Sequence, residues 1–145
     1  LSRRFPSAFP MTFPGKWPGK RRRSPQEKDL RAMYLVNRAV VIIKPRQPFL
    51  DWANSLPDPN SVTLEQLRKD CNAILIPDVD DDLEAERYVR QIYRGLFEMQ
   101  LAGWHQDPRF WPKQRGYKTF RDWFDVEVHS MVFDASSSPI VREPD

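Results

Sequence analysis

The sequence predicts an α+β fold: a small three-stranded mixed sheet with helices packed on it, in the order β-α-α-β-α-α-β. Three observations support this fold class. Residues 36–43 form an almost continuous apolar, β-branched run, which is typical of a central strand covered on both faces. Residues 83–102 repeat apolar side chains at helical spacing. Residues 126–133 alternate in the manner of a strand with one open face.

The remaining elements follow from local signals. Pro48 suits the first turn of a short helix, and Thr63 with Gln66 has the spacing of a capping box that begins a second helix. Residues 73–76 form a second predicted strand, and a short helix is expected over residues 119–124. Because both connections between strands are long enough for crossovers, we expect some parallel pairing.

Length and composition exclude several classes of protein. The 145 residues, 40% of them hydrophobic, fit one domain with a core. The longest uncharged apolar run, residues 39–43, is far shorter than the roughly 20 residues of a membrane-spanning helix, so no membrane partner is expected. The single Cys71 excludes an internal disulfide, and the scattered glycines give no phosphate-binding loop. We expect a cytoplasmic protein without kinase or dinucleotide-binding activity.

Charge divides the chain near Met33. Residues 1–32 carry a net charge of +7, against −4 for residues 33–145. The first part repeats an aromatic-proline pair every four residues, which excludes helix. We therefore expect a disordered, Pro-rich basic leader over residues 1–32, one domain over residues 33–134 and a disordered tail over residues 135–145. Two interpretations of the leader stay open: an arm that binds nucleic acid, or a stretch outside the native protein.

Several segments of the domain resemble those of a known family. They are residues 37–40 (Asn-Arg-Ala-Val), 44–52 (Lys-Pro-Arg-Gln-Pro-Phe-Leu-Asp-Trp), 74–77 (Ile-Leu-Ile-Pro), 111–112 (Trp-Pro) and 123–134, which begins Trp-Phe-Asp-Val-Glu-Val-His. Over roughly residues 33–134 the chain resembles a family of short, uncharacterised bacterial proteins with no established activity. The resemblance implies a cytoplasmic bacterial α+β domain, and it implies no catalytic residue and no cofactor.

The last predicted strand carries a candidate metal site. Asp125, Glu127 and His129 occupy alternate positions, so their side chains share one face. Together with a water they could ligate zinc or another divalent metal, or a carboxylate could orient His129 as a base. The competing interpretation is a half-exposed strand face on which the histidine bonds a neighbouring carboxylate. A metal-dependent enzyme of unknown reaction is therefore the alternative function.

Two other sets of residues favour structural roles. The acidic stretch 78–82 has oxygens for a hard cation, but it lies where a helix start needs carboxylates. Cys71 could pair with a histidine as a nucleophile, but it lies on the apolar stripe of the second helix, where cysteine usually acts as a small buried hydrophobe. Neither set predicts a cofactor.

The segment before the last strand gives the preferred function. Aromatic and basic side chains are interleaved over residues 104–123, a combination found at interaction hot spots and on nucleic-acid platforms. The competing interpretation places most of these rings in the core, Phe120 and Trp123 among them. We predict a non-enzymatic protein-interaction domain with an unidentified protein partner, and homo-oligomerisation stays open. The predicted binding surface comprises Trp104, Arg109, Trp111, Lys113, Arg115 and Tyr117.

Overall fold

A three-stranded sheet with helices on one face, and a two-stranded ribbon beside it, make up the fold in a computed structural model. The structure describes residues 32–57 and 61–144, so residues 1–31 of the predicted leader lie outside the described residues. The elements are β1 (Tyr34–Leu35), β2 (Arg38–Pro45), α1 (Gln47–Asn54), α2 (Leu64–Lys69), β3 (Asn72–Pro77), α3 (Asp82–Ala102), a 3-10 turn (Pro108–Phe110), α4 (Tyr117–Trp123), β4 (Phe124–His129) and β5 (Phe133–Asp134).

The first two helices begin where the sequence predicts. Pro48 lies in the first turn of α1, where a backbone N–H has no partner within the helix, and the helix buries Phe49 and Trp52. The predicted capping box of α2 is confirmed. Thr63 Oγ1 accepts a hydrogen bond from the Gln66 backbone N at 3.1 Å, and Gln66 Oε1 accepts one from the Thr63 backbone N at 2.9 Å.

The long helix α3 is also confirmed, with 21 residues. Asp81 caps it, because its Oδ1 atom accepts a hydrogen bond from the Glu84 backbone N at 2.8 Å. The short helix α4 begins two residues earlier than the predicted 119–124 segment. The buried side chains of α3 are Ala85, Val89, Leu96, Phe97, Gln100 and Leu101.

The sheet has the strand order β3-β2-β4, and both pairings are antiparallel. The predicted mixed sheet is therefore wrong. Ile43, near the end of β2, lies opposite Asn72, the first residue of β3. The connection through α1 and α2 therefore begins and ends at the same end of the sheet. The α3 connection does cross the sheet, so that β3 and β4 run in the same direction, but β2 lies between them.

The ribbon pairs β1, which the sequence does not predict, with β5, which begins at the last residue of the predicted strand over 126–133. Leu35 lies opposite Phe133 and Val40 lies opposite His129. Leu35 and Val40 are five positions apart, but their partners Phe133 and His129 are only four apart, so the register shifts by one residue between the two pairings. The predicted strand over 126–133 is thus divided between β4 and β5.

The core lies on one face of the three-stranded sheet. Ala39, Val41 and Ile43 are fully buried, whereas Val40 and Ile42 between them are only half-buried. The prediction that β2 is covered on both faces is wrong. The buried side chains of the helices form a single core cluster, and it lies on the face of the sheet that carries Ala39, Val41 and Ile43. Neighbouring phenylalanine rings in this cluster have centroids 5.1 to 5.8 Å apart: Phe49, Phe97, Phe120 and Phe124.

Residues 135–144 contain no helix or strand, and all of them are exposed. The tail begins with a local turn in which the Ser136 backbone N donates to Asp134 Oδ1 at 2.9 Å. No helix within residues 32–57 and 61–144 has the length and apolar character needed to cross a membrane.

Candidate interaction surfaces

The segment between α3 and α4 is an ordered loop that hydrogen bonds attach to the core. The indole N–H of Trp52 donates to the Phe110 backbone carbonyl at 2.9 Å, and the indole N–H of Trp111 donates to the His105 carbonyl at 2.7 Å. The rings of His105 and Phe110 are in contact, with centroids 4.3 Å apart and planes tilted by 39°. These contacts connect the loop to α1 and to itself.

Arg109 lies on the outside of this loop, with 86% of its side chain exposed. Its Nη2 atom lies 2.7 Å from Asp107 Oδ2, and the same carboxylate accepts a hydrogen bond from the Arg109 backbone N at 3.0 Å. The side-chain hydrogen bond from Arg109, together with the backbone one, lowers the pKa of Asp107 from 3.8 to about 2. The carboxylate therefore holds the guanidinium at the surface of the 3-10 turn.

The predicted binding residues fall into two groups. Arg109 and Lys113 are exposed, whereas Trp104, Trp111, Arg115 and Tyr117 are half-buried. The half-buried tryptophans also contribute to the fold. Trp104 packs edge-on against Phe49 with ring centroids 5.8 Å apart, and the Arg115 guanidinium lies 5.6 Å from the centre of the Trp111 ring.

Tyr117 belongs to a polar cluster between α3 and α4. Its hydroxyl donates to the Glu86 carboxylate, and Arg121 Nη1 donates to the Tyr117 hydroxyl and to Glu86 Oε2, both at 2.8 Å. The Arg90 guanidinium lies over the Tyr117 ring, 4.2 Å from its centroid. The hydrogen bond from Tyr117 lowers the pKa of Glu86, and burial raises that of Tyr117. This cluster joins two helices and leaves the tyrosine little freedom to adapt to a partner.

Phe110 is a surface residue that the predicted binding set omits. Its side chain is 43% exposed at the tip of the loop, next to Arg109. The Asp107-Pro108 pair that begins the 3-10 turn was the available sequence signal, since aspartate caps such a turn and proline suits its first position. Phe110 and Arg109 together form the exposed tip of the loop.

The residues of the predicted metal site lie on the open face of the sheet. His129 Nε2 is 3.2 Å from Glu127 Oε1, as the competing interpretation expected. The other Glu127 oxygen accepts a hydrogen bond from Lys44 Nζ at 2.8 Å, and this bond, followed by the one to His129, lowers the pKa of Glu127. Asp125 instead faces two arginines, with Arg68 Nη2 3.0 Å and Arg46 Nε 3.8 Å from its carboxylate oxygens.

This arrangement divides the three residues into a Lys44–Glu127–His129 group and a separate Asp125 group. In the part of the chain that the structure describes, no three His, Cys, Asp or Glu side chains are grouped so that they could hold a metal ion. In the acidic stretch 78–82, Asp81 caps α3. His105, for its part, accepts a hydrogen bond from the Asp107 backbone N at 3.2 Å.

Cys71 borders a small pocket between α2, β3 and the end of α3. The pocket is lined by Asp70, Asn72, Gln100 and Trp104 among others, and it has room for about one or two water molecules. Burial raises the pKa of the Cys71 thiol from its ordinary value of 9.0, which keeps the sulfur protonated. The thiol is half-buried, and a raised pKa is the opposite of what an activated nucleophile shows.

A second exposed surface lies on the β1–β5 ribbon. Five large apolar side chains, each 49 to 66% exposed, cluster in sequence around these two paired strands. The sequence carried a signal for it, because Met131 and Phe133 continue the open-face alternation of Glu127 and His129. Leu35 and Phe133 lie opposite each other and share one face of this ribbon, whereas Tyr34 shares the other face with Asp134. Comparison of the chain with protein-family models, curated proteins and solved structures finds no match.

Proposed function

We propose that this chain is a non-enzymatic protein-interaction domain that binds its partner through the loop over residues 104–117. The observation that supports the proposal is the state of Phe110, an exposed aromatic side chain on a backbone fixed by Trp52. Binding costs less when the contact residues are already ordered, since little conformational entropy is then lost. Exposed aromatic and arginine side chains are also the commonest hot-spot residues.

The chemistry of the loop favours an acidic partner surface. Lys113 is exposed and has no acidic contact within the described residues, and Arg109 has only Asp107. The expected partner therefore offers an apolar depression for Phe110, rimmed by carboxylates. A cytoplasmic bacterial setting, which the sequence resemblance implies, belongs to the same proposal.

Photo-crosslinking at the tip of the loop tests this proposal. The full chain would carry benzoylphenylalanine in place of Phe110 and be irradiated in the cells of origin. We expect a discrete protein adduct that is lost when Arg109 and Lys113 are both changed to alanine. The matched control carries the probe in place of Leu83, which is 61% exposed and lies at the start of α3, far along the chain from the loop. Equal adducts at both positions would refute the loop surface.

The metal-dependent enzyme built on Asp125, Glu127 and His129 is the second candidate. A carboxylate and an imidazole are adjacent at Glu127 and His129. Lys44, however, binds the other Glu127 oxygen, and Asp125 faces two arginines, so these contacts support the enzyme less than the interaction domain. Metal analysis of the purified chain separates the two functions. Stoichiometric zinc that disappears in His129→Ala would favour the enzyme, and an unchanged, metal-poor protein would favour the interaction domain.

A further inference from the structure

We propose that His105 makes the tip of the loop over residues 104–117 sensitive to pH: its neutral imidazole binds the backbone N–H of Asp107, and protonation of the imidazole releases that N–H. The tip is then more ordered at neutral pH than in mild acid. The inference concerns the loop itself, so it does not depend on any partner that the loop binds.

The side chain of His105 contacts both the start and the tip of the 3-10 turn. Its Nδ1 atom accepts a hydrogen bond from the Asp107 backbone N at 3.2 Å, and its ring lies against that of Phe110, with centroids 4.3 Å apart. The backbone of His105 is bonded on both sides, because its N donates to the Leu101 carbonyl at 2.9 Å and its carbonyl accepts from the Trp111 indole at 2.7 Å. The imidazole therefore projects from a backbone that is itself bonded to α3 and to the loop.

The bond to Asp107 exists in only one protonation state of the ring. A ring nitrogen that accepts a hydrogen bond carries no proton, so the neutral imidazole of His105 has its proton on Nε2. In the protonated ring both nitrogens are donors. Two N–H groups would then face each other across the 3.2 Å between Nδ1 and the Asp107 backbone N, so the bond is lost. The released N–H of Asp107 has to turn to water.

Asp107 is the residue on which the order of the turn depends. Its carbonyl accepts a hydrogen bond from the Phe110 backbone N at 3.0 Å, and its Oδ1 atom accepts one from the Arg109 backbone N at 3.0 Å. The N–H of Asp107, bonded to His105, adds a third hydrogen bond at this position. Loss of the third bond loosens the start of the turn, whereas the Phe110 carbonyl stays bonded to the Trp52 indole.

The groups around the imidazole change the pH at which it is protonated, but not the loss of the bond. The Asp107 carboxylate interacts electrostatically with the imidazole and favours its protonation, and the Phe110 ring also favours a cation. The Arg109 guanidinium, 2.7 Å from the same carboxylate, opposes protonation. From α1 the contacting group at the tip is the uncharged indole of Trp52, and from α3 it is a backbone carbonyl. Whatever the balance of these effects, a protonated Nδ1 has no lone pair with which to accept.

NMR of the purified full chain between about pH 8 and about pH 5, where histidine ordinarily changes its charge, tests the proposal. We expect the Asp107 amide signal to shift with the same midpoint as the His105 ring protons. Protection of this amide against exchange, corrected for the intrinsic effect of pH, should fall by about fivefold. The Asp107 carboxylate does not interfere, because its pKa of about 2 keeps it ionised throughout. The Trp52 indole should keep its protection. An Asp107 amide that does not follow the His105 ring would overturn the proposal.

The two histidines of the chain supply matched variants. His129 on β4 contacts the Glu127 carboxylate and lies outside the loop, so His129→Gln should leave the titration of the Asp107 amide unchanged. His105→Phe keeps a ring beside Phe110 but removes the acceptor, so the Asp107 amide should have lost its protection already at about pH 8. Circular dichroism checks that this variant is folded; if it is not, the titrations of the wild type and of His129→Gln decide. Full protection of Asp107 in a folded His105→Phe, or loss of its titration in His129→Gln, would contradict the role of His105.

Discussion

The Trp52 indole N–H donates a hydrogen bond to the Phe110 carbonyl at 2.9 Å, although Phe110 lies 58 positions further along the chain. Trp52 lies on α1 and packs beside Phe49 in the core, with ring centroids 5.5 Å apart. The bond therefore connects the tip of the loop over residues 104–117 to the core. It is the contact on which the proposed binding geometry of Phe110 depends most directly.

Loss of this bond should loosen the loop. We expect Trp52→Phe to lower the free energy of unfolding by about 1 to 3 kcal/mol, from the lost hydrogen bond and the smaller ring. Amide hydrogen exchange should quicken over residues 105–111. The control is Trp104→Phe, which also reduces an indole packed on Phe49 but removes no hydrogen bond known within the described residues. Equal loop exchange in both variants would contradict the assignment to Trp52.

The Asp107–Arg109 pair should give the loop an acid-sensitive contact. Because the pKa of Asp107 is lowered to about 2 from 3.8, its stabilising contribution is complete above pH 3.8 and is lost as the pH falls through 2. In Arg109→Ala the pKa of Asp107 should rise towards 3.8, as measured by carboxyl NMR titration. Lys118→Ala is the control, since Lys118 pairs with Asp122 on α4. A pKa of Asp107 that stays near 2 in Arg109→Ala would show that the backbone bond alone is sufficient.

Local signals were enough to predict the helices. The capping box of Thr63 and Gln66, the cap at Asp81 and the apolar period of α3 each depend on residues within a few positions of one another. The fold class could be predicted for the same reason. Strand pairing could not, because the antiparallel order around β2 is set by where α1, α2 and α3 pack, which no short window of sequence contains.

The contacts of the predicted metal site divide in the same way into local ones, which could be predicted, and long-range ones, which could not. Alternation correctly predicted that Glu127 and His129 are neighbours on one face, but Lys44, which also binds Glu127, lies 83 residues away. The alternation of residues 126–133 extended to Phe133, but β1 escaped prediction because a strand of two residues has no measurable period. The shift of register between the two pairings could not be predicted either. Contacts between residues far apart in sequence could therefore not be predicted from local patterns.

The polar cluster around Tyr117 should stabilise the contact between α3 and α4. We expect Tyr117→Phe to cost about 1 kcal/mol of unfolding free energy, a modest value because the Glu86 side chain is 43% exposed. The pKa of Glu86, now lowered chiefly by Tyr117, should rise in this variant. As the pH is lowered, the variant should then lose the stabilising contribution of Glu86 at a higher pH than the wild type does. The reason is that a carboxyl with a lowered pKa stabilises the fold only while it is ionised.

A matched tyrosine on α3 provides the control for this cluster. Tyr88 is also half-buried against the core, and no hydrogen bond of its hydroxyl is known in the described ranges. Tyr88→Phe should therefore leave both the unfolding free energy and the Glu86 titration nearly unchanged. Similar effects in the two variants would mean that the Tyr117 hydroxyl contributes little beyond the packing of its ring.

Cys71 should react slowly with alkylating reagents, because burial raises the pKa of its thiol and only the thiolate is nucleophilic. At pH 8 we expect iodoacetamide to modify it at least several-fold more slowly than a reference thiol on the same fold. The reference is Leu83→Cys in a Cys71→Ser background, which presents the thiol at an exposed position of α3. Denaturant should remove the difference, because unfolding exposes Cys71 to water. If native Cys71 instead reacted as fast as the reference or faster, the pocket beside Gln100 and Asn72 would have to activate the sulfur, and a covalent function would replace the structural role assigned to it.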